Sequence, residues 1–405
     1  MNQSTYLSNK LEEINEILSQ NYKEVEDIGV LTGSTGIALF HFYYSKLKRQ
    51  EINTDIGMEI ISESISKINE GYNIPTFCKG IAGAAWTIEL SKEEGFIDID
   101  SDALLSSLDG YLENSLSIEA QYNFYDFLHG VIGIGYYFLK RYLNTESVKL
   151  KANYKKLLLK IIKQLREAAQ IDGGTAKWES NLIFEEKLRG YNLSLSHGIS
   201  SIINFLTRLS EHSDFKVITL PLLQKAINYV LQNENNSVTI FSCFPDWITV
   251  NNEKSESARL AWCYGDLGVA ISLWKAGKVL VNTELCDKAL TILKHTTKCV
   301  DAKEARIMDA GLCHGAYGVI HIYNYMYKET QEIIFKKAAQ HWLEIAINMA
   351  IPEQGYAGYG KWHGGPNPGW DPEVNLLEGI SGIGLAIISY IAPFNAKWDE
   401  CLMIG

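Results

Sequence analysis

Apolar and polar positions alternate along this chain in blocks. A glycine-led run that is apolar on nearly every side recurs, and between the copies lie segments with charges at helical spacing. The runs begin at Gly33 (GSTGIALFHFYY), Gly80 (GIAGAAWTIEL), Gly130 (GVIGIGYYFL), Gly265 (GDLGVAISLW), Gly315 (GAYGVIHIYNYM) and Gly379 (GISGIGLAIISY). A seventh, at Gly198 (GISSIINFL), has Ser201 where the second glycine should stand. Successive starts are 47, 50, 68, 67, 50 and 64 residues apart, a period that marks repeated structural units. The amphipathic segments are 6–20, 58–69, 102–115, 147–169, 220–231, 286–300 and 331–350.

A helix that is apolar all round must be buried, whereas a half-polar one can face water. Seven of each in alternation predict an all-α fold, an α/α toroid (barrel) of seven inner and seven outer helices. The paired glycines would open the inner helices and let backbones approach closely. Three spacings carry a surplus, at about 171–196, 233–262 and 352–378, rich in turn residues, aromatics and short β-rich runs such as 238–242. The expectation is a single domain, 1–405, with these long loops on the active-site mouth. Trp178, Phe244, Trp247, Tyr356, Tyr359, Trp362 and Trp370 would wall the cleft, although packing explains any one of them equally well.

Composition narrows the function. A net charge of −11 and a pI near 5.4 argue against nucleic acid, which needs a basic surface. The most apolar stretch, 380–394, is interrupted and too short to span a bilayer, and the N-terminal residues MNQSTYLSNK lack the apolar core of a signal peptide. Seven scattered cysteines suggest reduced thiols and a cytoplasmic location.

Counting from each leading glycine brings the chemistry into register. Position −2 holds Cys78, Cys263 and Cys313; position −1 holds His129, His197 and His314; Asp126 stands at −4. Consecutive repeats can thus place Cys263, Cys313 and His314 around one ion. Two thiolates and an imidazole are preferred donors of Zn²⁺, and three ligands leave the fourth position open, as catalytic sites do. Cys78 belongs to a distant repeat and reads as a small buried hydrophobe, as do Cys243, Cys286, Cys299 and Cys401. His197 and Asp126 share the height of the metal residues, which favours function; His129 stays ambiguous. The basic segment with Lys149, Lys151, Lys155, Lys156, Lys160, Lys163 and Arg166 reads first as a solvated face, and second as a docking stripe.

Five motifs, WCYGD (262–266), GLCHG (311–315), NLSLSHG (192–198), YDFLHG (125–130) and LLEGISG (376–382), resemble the lanthionine synthetase C family. The resemblance runs from the first glycine repeat to the last; HGISS departs from its pattern. It implies an α/α toroid with one zinc ion held by Cys263, Cys313 and His314, and a catalytic site lined by Asp126, His197, Arg259 and Tyr264. The implied reaction adds peptide cysteine thiols to dehydroalanine or dehydrobutyrine, closing (methyl)lanthionine rings. The implied substrate is a dehydrated precursor peptide. A dehydratase and a peptide exporter are candidate partners, in a cytoplasmic complex peripheral to the membrane.

On that chemistry His197 is the natural proton carrier, with Asp126 orienting it. Arg259, four residues before Cys263, would share a face with it if that stretch is helical, and could hold an enolate or anchor Asp126. Asp266 would cap the helix opened by Gly265 or, less naturally, orient His314. Rival readings are a relative that adds glutathione to dehydroamino acids, a prenyltransferase-type zinc–thiol enzyme, and a non-catalytic zinc-stabilised protein-binding scaffold.

Overall fold

The computed structural model describes residues 3–183, 186–235 and 240–405. Fourteen α-helices are present among them. The first eight are α1 (Gln3–Asn21), α2 (Ser34–Lys48), α3 (Glu51–Asn69), α4 (Ile81–Glu93), α5 (Ser101–Gln121), α6 (Val131–Asn144), α7 (Val148–Ala168) and α8 (Ile199–Ser210). Then follow α9 (Ser213–Gln232), α10 (Asp266–Leu280), α11 (Thr283–Thr296), α12 (Ala316–Thr330), α13 (Ile333–Asn348) and α14 (Ile380–Ile391).

The even-numbered helices are the glycine-led runs, and they are buried on all sides. Every residue from Ser34 to Ser45 of α2 and from Ile81 to Ser91 of α4 is out of solvent. The odd-numbered helices bury one stripe, such as Tyr154, Leu157, Leu158, Ile161, Ile162 and Leu165 of α7. Two of them start earlier than expected: α3 begins at Glu51, and α9 begins at Ser213 and runs through Pro221. Proline removes one helical donor, but burial of Phe215, Leu222 and Leu223 holds α9 together across it.

The chain divides into two compact units, residues 1–105 with 300–405, and residues 106–299. In the first, α14 packs against α1, α2 and α12, and α2 against α4, so the last repeat lies beside the first. In the second, α8 packs against both α6 and α10, and each even helix pairs with the odd helix that follows it.

The turn before each buried helix explains the glycines. Helix N-termini leave four N–H groups without intrahelical partners. Here carbonyls from the preceding turn accept them: Ile81 N–H donates to Ile74 O at 2.8 Å, Ala316 to Asp309 O at 3.0 Å and Ile380 to Glu373 O at 3.0 Å. That carbonyl lies where a side chain would begin, 2.0 Å from a Cβ built on Gly80. The second glycine meets its own turn in the same way, with Leu312 O at 2.0 Å from a Cβ on Gly318. The close approach is therefore to the helix's own entry turn as well as to neighbouring turns. Gly265 differs in having φ 90°, which favours glycine outright.

Neighbouring turns are also stitched together through the carbonyl at position −2. Leu312 and Cys313 donate to Leu377 O, Leu377 to Leu31 O, and Leu31 and Thr32 to Cys78 O; in the second unit Leu195 and Ser196 donate to Cys263 O.

The described β-strands all fall in the three long inserts. β1 (Gln170–Asp172) and β2 (Thr175–Lys177) form a hairpin, β3 (Ser180–Ile183), β4 (Leu188–Asn192) and β5 (Trp247–Thr249) an antiparallel sheet, and β6 (Gly360–His363) and β7 (Gly369–Pro372) a second hairpin. Of the β-rich run expected at 238–242, residues 238 and 239 lie outside the described residues.

Candidate active site

In the second unit a cavity of about 450 Å³ is lined by Asp126, His129, His197, Asn192, Tyr264 and Trp178, among others. Asp126 and His197 come from the turns that open α6 and α8. Asp126 Oδ2 meets His197 Nδ1 at 2.5 Å, and its other oxygen accepts the His129 backbone N–H at 2.6 Å. The His197 backbone is fixed in turn by Ser194 Oγ at 3.0 Å. Burial alone would lower the His197 pKa, but the hydrogen bond and charge of Asp126, with the charge of Cys263, outweigh it and raise the value above 6.5. Tyr264 packs 6.0 Å from the His197 ring, and its hydroxyl accepts a hydrogen bond from Asn192 Nδ2 at 3.2 Å. Burial pushes Tyr264 up to about 12, against the pull of that hydrogen bond, so the phenol keeps its proton at neutral pH. His129 stacks on His197 with ring centroids 6.2 Å apart and faces the same cavity.

In the first unit the turn opening α12 carries Cys313 and His314. Asp309, at position −6 of this turn, is buried and was not singled out from the sequence. Its Oδ1 accepts the Gly311 N–H at 3.0 Å, its Oδ2 accepts the Trp362 N–H of β6 at 3.1 Å, and that same Oδ2 lies 3.9 Å from His314 Nε2. Lys361, next on β6, pairs with Glu378 at 2.6 Å, and Glu378 stands at position −1 of the α14 turn. The Asp309–Trp362 contact joins segments 53 residues apart and the Lys361–Glu378 pair residues 17 apart, which placed both beyond sequence reasoning; an aspartate six places before the glycine was the one available hint.

Cys263 stands at position −2 of the turn that opens α10 in the second unit, and Cys313 and His314 at positions −2 and −1 of the turn that opens α12 in the first. Two thiols and an imidazole suit Zn²⁺, so the donor set fits the ion expected.

Other residues fall differently from expectation. Arg259 lies in a non-helical stretch, so it shares no helical face with Cys263, and it is not among the residues lining the cavity. Its carbonyl instead fills the space beside Gly265, 2.1 Å from where a Cβ on that glycine would stand. Asp266 makes no side-chain cap on α10: its carboxylate accepts the backbone N–H groups of Cys243 and Phe244 at 2.7 and 2.9 Å, tying down the second insert. Burial raises Asp266 to about 6. The thiol of Cys243 is pushed up to about 12 by burial and by Asp266, and those of Cys286 and Cys401 are raised by burial, as befits packing residues. Cys78 is buried beside Thr32, and its carbonyl joins two turns. Of the aromatics, Trp178 lines the cavity while donating Nε1–H to Leu165 O; Phe244 and Tyr359 are core residues. On the basic stripe, Lys155 pairs with Asp214, Lys163 with Glu167, and Lys160 donates to Ser117.

Alternating buried and half-exposed helices, each buried one led by a glycine turn, with a His–Asp pair in a cavity define a class, all-α helical-repeat proteins. The chain belongs to the lanthionine synthetase C-like protein family, whose model matches residues 24–403. It is 26% identical to nisin biosynthesis protein NisC of Lactococcus lactis subsp. lactis over 411 residues, covering 94% of this chain and 91% of that one. It is 24% identical to glutathione S-transferase LANCL1 of Danio rerio over 410 residues, covering 98% and 90%. The solved structure of nisin cyclase matches with a TM-score of 0.77 at 20% identity, covering 100% of this chain and 98% of that one. With that likeness the fold class is the expected one, an all-α, α/α toroid of seven plus seven helices. No described helix is long and apolar enough to cross a membrane.

Proposed function

We propose that this protein is a zinc-dependent lanthipeptide cyclase, with the whole chain acting as one catalytic domain. It would add cysteine thiols of a dehydrated precursor peptide to dehydroalanine or dehydrobutyrine in the same peptide. The observation that carries the reading is the Asp126–His197 pair in a cavity, in a chain whose family includes a cyclase relative along nearly its full length. By their motifs and the family match, Cys263, Cys313 and His314 are the residues that would hold the metal. Zinc held there would supply the Lewis acidity that ionises an incoming thiol, whose ordinary pKa of ~8.5 leaves it mostly protonated at neutral pH.

The residues of the chain account for the proton. As sulfur bonds Cβ, the carbon–carbon π bond opens, the thiol proton leaves and a proton arrives at Cα, so no mass is lost or gained. Asp126 occupies Nδ1 of His197 and leaves Nε2 to hold and move that proton. The raised pKa of His197 suits it to deliver a proton near pH 7. Tyr264, protonated throughout, can donate its O–H to the developing enolate oxygen. Arg259 belongs to the proposed site through the family resemblance alone, because it does not line the cavity.

The substrate requires a dehydratase upstream, and an exporter would follow; we place the reaction in the cytoplasm, at a membrane-associated complex. The test is ring closure on a dehydrated peptide, seen as loss of free thiol at constant mass. The wild type should close rings and the His197→Asn variant should not, with zinc content equal in both; full activity in the variant would remove His197 from the mechanism. Added glutathione should leave the product mass unchanged. A mass gain of one glutathione per dehydro residue would make the protein an adduct-forming enzyme instead.

A further inference from the structure

We infer that Asp309 is a positioning residue that holds the imidazole of His314 with its Nε2 edge toward the carboxylate, so that Nδ1 is the nitrogen presented to the metal. The inference rests on the zinc reading above for what Nδ1 does, but its geometry stands within the first unit alone.

Three features single out Asp309. It is only 4% exposed, so its charge must be satisfied by the protein. Its carboxylate is folded into its own turn, with Oδ1 on the Gly311 N–H and only 2.5 Å from a Cβ built on Gly315, so that glycine makes room for it. Its second oxygen is held by the Trp362 N–H of β6 at 3.1 Å and faces His314 Nε2 at 3.9 Å. At that distance the His314 contact is electrostatic and not a hydrogen bond. It is enough to choose the ring edge and the tautomer, because a carboxylate favours N–H over a lone pair on the nitrogen it faces. Histidine ligands ordinarily give their other ring N–H to such a group, and its loss typically costs 10–100-fold in metal affinity. The same contact links the third insert to the metal turn, since Trp362 lies on β6.

The tautomer can be read directly in the intact protein by long-range proton–nitrogen NMR of the His314 ring, with and without added Zn²⁺. Nε2–H is expected in both samples; Nδ1–H would overturn the assignment without reference to any variant. A wild type with the expected tautomer but no zinc uptake would fail the metal reading and leave the positioning intact. Zinc affinity, measured by competition with a chelator, should fall about 10–100-fold in Asp309→Asn. In a His314→Cys background, where there is no ring to orient, the same substitution should change affinity less than twofold. An equal loss in both backgrounds would make Asp309 a brace of the turn and nothing more.

Discussion

The turns that open α8 and α12 are built on one plan and present their histidines in opposite ways. Both place a histidine immediately before the leading glycine. His197 receives its carboxylate from another repeat, Asp126, through Nδ1 at 2.5 Å. His314 faces a carboxylate from its own turn, Asp309, through Nε2 at 3.9 Å. The repeat fixes where each ring starts. The origin of the carboxylate decides which nitrogen remains for chemistry, Nε2 in one case and Nδ1 in the other. A third histidine completes the series. His41 in α2 faces no carboxylate among the described residues but Asn53 Oδ1 at 3.4 Å, and burial lowers it to about 4, whereas His197, buried beside Asp126, is raised.

The strongest way to break the comparison is to remove the proton carrier. His197→Asn should lower ring closure by about 10²–10⁴-fold while leaving bound zinc unchanged by metal analysis. Asp126→Asn should cost about 100-fold at neutral pH. Because Asp126 raises His197, its loss lets the imidazolium deprotonate sooner, so the alkaline limb of the pH–rate profile should move to lower pH. The two helices behind the turns differ as well. Gly318→Ala in α12 would press a methyl group on Leu312 O and should destabilise by about 1–3 kcal/mol in denaturant unfolding. In α8 the equivalent residue is already Ser201, whose hydroxyl donates to Gly198 O at 2.7 Å, so Ser201→Gly should cost under about 1 kcal/mol. An effect of similar size concerns His41. The unfolded chain takes up its proton near 6.5 and the folded one only near 4, so the stability is complete above 6.5 and is lost as pH falls through that window. Between pH 6.5 and about 5.5 the loss should be roughly 1 kcal/mol, and His41→Asn should flatten that slope.

Much of the fold was legible because the glycine pattern is set by local geometry: each leading glycine faces a carbonyl of the six residues before it, a relation contained in one short stretch of sequence. The register of Cys263, Cys313, His314, His197 and Asp126 followed from the same repeat. What escaped is what depends on segments far apart. Asp266 looked like a cap and serves the backbone of Cys243 and Phe244; Arg259 would have shared a face with Cys263 only on a helix, and none forms there; Asp309 and the Lys361–Glu378 pair were invisible until β6 was seen against the α12 and α14 turns. The expected segment 220–231 took in only the later part of α9, which begins at Ser213 and continues through Pro221.

The stitching of one entry turn to the next runs through main-chain oxygens at Leu31, Cys78, Cys263 and Leu377. Since any amino acid supplies that oxygen, the architecture asks nothing of the side chain at this place. A thiol can be installed or withdrawn there without renegotiating how the helices assemble. Such a frame lets reactivity be exchanged independently of stability, one repeat at a time.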